Sequence, residues 1–115
     1  MLPQHSSVQG QAGTRVGQYI LHLSGPITHS TVPAIEEALR SVTASSLIVD
    51  LTEVPYIDSA AVGALMQAYV SCQRAGRNLA LVGLGHRVKA LLQITRIDLL
   101  FTTFPTRAEA EAALA

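Results

Sequence analysis

Leu47-Ile48-Val49-Asp50-Leu51, followed after a short gap by Tyr56-Ile57-Asp58-Ser59-Ala60-Ala61-Val62-Gly63-Ala64-Leu65, is the stretch from which the fold can be read. The first five residues form a short apolar run with β-branched Ile48 and Val49 at its centre, as in a strand covered on both faces. Thr52 to Asp58 reads as a loop in which Tyr56 and Ile57 are candidates for burial. A helix is expected from Ser59 to Ala75, with Val62, Leu65, Met66, Tyr69 and Val70 as its apolar stripe. Gly76 then stands where a left-handed C-cap belongs. A buried strand feeding a helix through a short loop is the repeating unit of a parallel α/β sheet.

The same alternation extends in both directions. Tyr19 to Leu23 has the pattern of a strand with one buried face, and Ser24-Gly25-Pro26 breaks it. Ser30 or Thr31 can cap a helix with Pro33 in its first turn. Val32, Ile35, Leu39 and Val42 share one face of that helix. Leu79 to Leu84 is a further strand, and His86 to Ile94 a helix with Val88, Leu91 and Leu92 inward. Leu100 to Phe104 reads as a last strand. Thr106 opens a final helix with Glu109 at the capping-box position.

The fold class expected is an α/β sandwich: a mixed sheet of four or five strands with about four helices chiefly on one face. Residues 1–15, rich in Gln, Ser and Gly, form a polar tail with room for a weak edge strand near Val8 or Val16. Residues 16–115 make one domain, in keeping with a chain of 115 residues.

Composition narrows the function. Hydrophobic residues make up 49% of the chain and charged residues 14%, the reverse of what disorder requires. Eight basic and eight acidic side chains balance, so the surplus that phosphate backbones demand of a nucleic-acid binder is missing. No apolar run approaches the ~20 residues that span a bilayer. With one cysteine and no secretory leader, a cytoplasmic protein is expected.

Ser59 is the residue to which the chemistry points. It lies past a buried strand at the mouth of a helix, on the sheet edge where α/β proteins gather their sites. A phosphate there would meet unpaired backbone N–H groups and the positive end of the helix dipole. It would also place about −1.5 to −2 charges on an exposed rim, against any partner resting there. The plainer alternative, that Asp58 or Ser59 only caps the helix, is compatible with this. Ala60, Ala61, Gly63 and Ala64 allow either close helix–strand packing or a flat docking patch.

Other features carry less. His5, His22, His29 and His86 are dispersed and joined to no cysteine or carboxylate at ligand spacing, so neither metal nor cofactor is expected. Gly83-Leu84-Gly85 follows a strand but lacks the rest of a nucleotide fingerprint and reads as a tight turn. Cys72 falls within a helix without an activating base. Leu99 and Phe101 belong to a core or an interface. No set of acid, base and nucleophile converges, which argues against an enzyme.

Ile57-Asp58-Ser59-Ala60-Ala61-Val62-Gly63 resembles the signature of STAS domains, especially the bacterial anti-sigma factor antagonists, whose usual form is Asp-Ser-Ser/Ala-Gly, an aliphatic residue and Gly. Leu23-Ser24-Gly25-Pro26-Ile27, Leu47 to Leu51, and Arg87-Val88 with Leu91-Leu92 are similar to further segments of that family. The likeness runs from Tyr19 to Leu114. It implies that Ser59 is the phosphorylation site of an anti-sigma factor serine kinase, which the unmodified protein would bind. It also implies a partner surface of Asp58, Ser59, Ala60, Ala61, Gly63 and Tyr56, with Pro26, Thr28 and His29 from the neighbouring loop. A homodimer or larger assembly is compatible with it. The chain departs from the family at Pro26, Thr28 and Ala61, where an acid, an acid and a glycine are usual. Those departures leave open a constitutive scaffold or adaptor in a stress-signalling or lipid-transport complex.

Overall fold

Side chains of the central strands alternate between two faces of one sheet, and each face meets a different set of helices. The computed structural model describes residues 6–114; His5 and the rest of residues 1–5 lie outside it, as does Ala115. Strands β1 (Ser7–Ala12), β2 (Gln18–Ser24), β3 (Ser46–Glu53), β4 (Asn78–Val82) and β5 (Thr102–Phe104) lie side by side in that order. β1 runs antiparallel to β2, and every other neighbouring pair is parallel. Helices α1 (Val32–Ser41), α2 (Ser59–Ala75) and α3 (His86–Ile94) link successive parallel strands, and α4 (Arg107–Ala113) follows β5. The sheet is therefore mixed and five-stranded, with four helices. β1 lies within the segment read as a polar tail, around Val8; Val16 is fully exposed in the turn that follows.

Leu21, Leu23, Leu47, Val49, Leu51 and Leu81 face the three linking helices, meeting Ile35, Leu39, Val62, Leu65, Val88 and Leu92. On the other face Ile20, Ile48 and Val82 meet Ala110 of α4, with Phe104 and Leu114 at the margin. β3 is buried from Ser46 through Leu51, as its apolar run anticipates.

Several expectations are corrected in detail. The inner face of α2 is made by Ala61, Val62, Ala64, Leu65, Ala68 and Cys72. Val70 is exposed, and Met66 and Tyr69 are half-buried. Alanines take the inner positions because the helix lies close to the sheet, and the bulky residues are displaced to its flanks. β3 continues through Glu53 into the segment read as loop, and β4 stops at Val82. The last strand is only Thr102–Phe104, because Asp98–Leu100 coil into a 3-10 turn that leaves Leu99 outside and sends Phe101 into the core. Leu91 is half-buried. Thr31 occupies the N-cap of α1, but its hydroxyl accepts from Thr28 N–H at 2.9 Å, folding the preceding loop instead of capping the helix.

Gly76 closes α2 at φ 69°, and the Thr106 hydroxyl accepts from Glu109 N–H at 3.3 Å, both as anticipated. Gly83 has φ 70°, and a Cβ there would stand 3.1 Å from Thr52 Cα. That turn has no room for a side chain, consistent with a tight turn. Cys72 is buried, and burial pushes its thiol up, against a reactive role.

One buried charge lies in the sheet among the described residues. Asp50, 4% exposed on the α4 face, receives Thr52 N–H at 2.9 Å on one oxygen and Arg107 Nε at 2.5 Å on the other. His22 stands 3.3 Å from the second oxygen and 3.2 Å from Glu53. Burial alone would raise the Asp50 pKa, but the hydrogen bonds from Thr52 and Arg107, with His22 beside them, outweigh it and bring the carboxyl from 3.8 down to about 2. The depressed value stabilises the fold above the unfolded pKa, and this contribution is lost as pH falls from about 5 to 2. The shift corresponds to something on the order of 2 kcal/mol. Asp50→Asn should therefore lower Tm at neutral pH and flatten the fall of Tm on acidification. Equal acid slopes for the two proteins in a calorimetric series would refute this account.

Candidate functional site

Two loops meet at the carboxyl end of the sheet, and their main chains hold each other. Ile27 and Ile57 form an isolated parallel bridge, with Ile27 N–H donating to Tyr56 C=O at 3.2 Å and Asp58 N–H to Ile27 C=O at 3.1 Å. Ile27 and Ile57 are both buried, which anchors this junction to the core. The loop after β2 is thereby fixed against the mouth of α2, although 29 residues separate His29 from Asp58 in sequence.

Asp58 completes the junction. One carboxylate oxygen accepts from Ala61 N–H at 3.1 Å and caps α2. The other accepts from His29 N–H at 2.9 Å, and the His29 ring lies 3.8 Å away. Partial burial opposes ionisation, yet the N–H groups of Ala61, His29 and Ala60 and the nearby imidazole hold the carboxyl below its ordinary value. The alternatives left open by spacing are thus resolved: Asp58 is the cap, and Ser59 is the first helical residue, exposed to solvent.

Around Ser59 the outer surface is formed by exposed Gly63 one turn on, half-buried Ala60, Thr28 and Tyr56, and exposed His29. Pro26 and Ala61 are also at the junction but buried, so they shape the rim from beneath and present no side chain on it. A Cβ at Gly63 would touch nothing within 4 Å, so its smallness matters for the outer surface and not for internal packing. Arg87, on α3, escaped the sequence reading of this rim. Its guanidinium lies 4.7 Å from the centre of the Tyr56 ring. No spacing signal joins positions 56 and 87; only the packing of α3 beside the loop does. Among the described residues no group of three His, Cys, Asp or Glu side chains is arranged to hold a metal ion, and no helix is long and apolar enough to cross a membrane.

The sheet topology is shared with a known family. The model described as STAS domain matches residues 7–110. This chain belongs to the STAS family.

Over 81 residues the STAS chain is 36% identical to a Listeria monocytogenes protein named Anti-sigma-B factor antagonist, covering 68% of this chain and 71% of the relative. In structure it is similar to an anti-sigma factor antagonist from Mycobacterium paratuberculosis, with TM-score 0.88, 23% identity, and coverage of 98% and 97% of the two chains. It also shares its fold with the anti-sigma factor antagonist SpoIIAA in its unphosphorylated form, at TM-score 0.72 and 18% identity over 90% and 92%. The phosphorylated form of SpoIIAA, from Bacillus, gives TM-score 0.74 and 14% identity over 95% and 100%.

The division of labour between Asp58 and Ser59 has a measurable consequence. Asp58→Ala should cost about 1 kcal/mol of stability, the usual value of an N-cap. It should also speed hydrogen exchange at the Ala61 and His29 amides together. Ser59→Ala should leave Tm within the small range of a surface substitution. If Ser59→Ala destabilises as much as Asp58→Ala, the cap has been assigned to the wrong residue.

Proposed function

We propose that this STAS protein is a cytoplasmic anti-sigma factor antagonist that binds an anti-sigma factor serine kinase through the rim around Ser59, and that phosphorylation of Ser59 ends the binding. The observation that carries the reading is that Asp58 takes the cap, so the Ser59 hydroxyl is left to face solvent at the helix mouth. The 36%-identical relative named Anti-sigma-B factor antagonist, and a structural neighbour that exists in unphosphorylated and phosphorylated forms, support it.

The physics of the switch is local. A phosphate on Ser59 would stand beside the ionised Asp58 carboxylate and add about −1.5 to −2 charges to the rim. The Asp58 cap, the Ile27–Ile57 bridge and the buried face of α2 do not use the Ser59 side chain, so the domain stays folded. A bound partner would meet repulsion and a buried charge without a complementary group. The domain acts as ligand and substrate and catalyses nothing itself. Pro26 and Thr28 are not part of an acidic rim: Pro26 is buried, and Thr28 bonds within its own loop. Selection of the kinase therefore rests on Ser59, Tyr56, His29 and the flat surface at Gly63.

Immobilised wild type, Ser59→Ala and Ser59→Asp, each presented to the purified anti-sigma kinase of the host, separate the possibilities. Wild type and Ser59→Ala should retain the kinase, Ser59→Asp should bind it at least tenfold more weakly, and only wild type should incorporate phosphate. Equal retention of the kinase by all three would leave Ser59 without a switching role and return the domain to the class of constitutive adaptors.

A further inference from the structure

The two edges of the sheet differ. β5 is three residues long, is followed by Pro105, and has α4 beside it, all devices that keep a sheet edge from pairing with other chains. β1 is twice that length and is not followed by a proline, although α1 packs beside it. Its six residues, Ser-Val-Gln-Gly-Gln-Ala, contain no charge and no proline, and its pairing with β2 runs from Ser7↔Ser24 to Ala12↔Tyr19 without a bulge. Its outer edge has no strand beside it among the described residues, and five of the six residues are exposed. The start of the strand is held in place as well, since the Ser6 hydroxyl donates to Pro26 C=O. A long, uncharged, regular edge is a template for another strand.

We infer that β1 pairs antiparallel with β1 of a second copy of this chain, making a two-fold dimer with a continuous ten-stranded sheet. The occupant follows from symmetry and side chains. A two-fold axis normal to the sheet keeps the same face of both copies upward, so only residues of like parity come opposite each other. Centring the axis on Gly10 sets Val8 against Ala12 and Gln9 against Gln11 of the other copy. Val8, Gly10 and Ala12 point to the α1 face, as their β2 partners Leu23, Leu21 and Tyr19 show, and Gln9 and Gln11 to the opposite face. The apolar pair thus meets on one side and the amide pair on the other, and no charge of one strand faces a like charge of its mate. Gly10 at the axis is covered by the Tyr19 ring, to which a Cβ would come within 2.7 Å at Cε2, so the two Tyr19 rings flank the axis. Beside the strand lies a groove of mixed character, lined by Val8, Tyr19, Ala38, Ser41, Val42 and Thr43, which the second copy's rings would help to cover.

A ladder of this length buries less than a standard interface, so the dimer is of moderate affinity, with Kd on the order of micromolar. Sedimentation velocity on the wild type, from well below to well above that concentration, should show monomer converting to dimer. Gln9→Glu with Gln11→Glu puts two like-charge pairs across the axis and should raise Kd tenfold or more. Gln9→Lys with Gln11→Glu puts two opposite-charge pairs there and should restore dimer to at least the wild-type level. Both doubles change exposed side chains and should keep the wild-type Tm. A wild type that stays monomeric throughout, a Glu/Glu variant that dimerises like wild type, or a Lys/Glu variant no better than Glu/Glu would each overturn the inference.

Discussion

Burial of β3 on both faces is the constraint from which the rest of the structure follows. Leu47, Val49 and Leu51 require a cover on one side, and Ile48 on the other. A strand in that position cannot be left to solvent on either face, so the chain needs helices above the sheet and something below it. Three crossover helices supply the upper layer as a by-product of parallel connection. Nothing in parallel topology supplies the lower one, and α4, only seven residues long, is added after the last strand for that purpose.

A short helix with a single fully buried alanine is a weak cover by apolar area alone. Polar contacts hold it at both ends. Arg107 reaches Asp50 at its start, while the Glu111 backbone carbonyl accepts from Gln18 and its carboxylate from Thr14 N–H, each at 2.7 Å. Asp50 thus has a structural reason to be a charge within the apolar run Leu47 to Leu51. It gives Arg107 an anchor that the small hydrophobic seat could not provide, and the donors of Thr52 and Arg107 repay its burial.

The order of elements along the chain was legible because its signals are local. The run Leu47 to Leu51, the helical spacing of Val32, Ile35 and Leu39, and the Gly76 stop each lie within one element. α2 was delimited correctly, and Val62 and Leu65 are on its inner face as read, yet the alanines that share that face were passed over for Met66, Tyr69 and Val70, because bulky side chains make a better hydrophobic stripe than Ala. What decides between them is the distance from helix to sheet, a tertiary quantity. The same limit applies at the site. Asp58-Ser59 was recognisable, but spacing leaves open which of the two caps, and two features depend on contacts between segments far apart in sequence: the burial of Pro26 and the arrival of Arg87 over Tyr56. The 3-10 turn at Asp98–Leu100 was hidden for a related reason, since Leu99, Leu100 and Phe101 look alike in a pattern and only Phe101 finds a place in the core, edge-on to Tyr69 at 5.7 Å between ring centres.

The division between Asp58 and Ser59 bears on how a proposed switch can be both sensitive and inexpensive. If the serine were itself the cap, modification would remove a helix-terminal hydrogen bond at a cost of about 1 kcal/mol, and the phosphate's effect on a partner would be mixed with partial fraying of α2. With the carboxylate as cap, the two functions are carried by adjacent residues and do not interfere. The same Asp58 also fixes the His29 loop, so on the proposed reading the surface that a partner would read is assembled before modification. What changes is charge alone, and charge at a desolvated contact discriminates more steeply than a small shift in stability would. A rigid rim with a modifiable hydroxyl is, on this argument, better suited to release a partner than a flexible loop, because a flexible loop could move the phosphate into water and leave the contact intact.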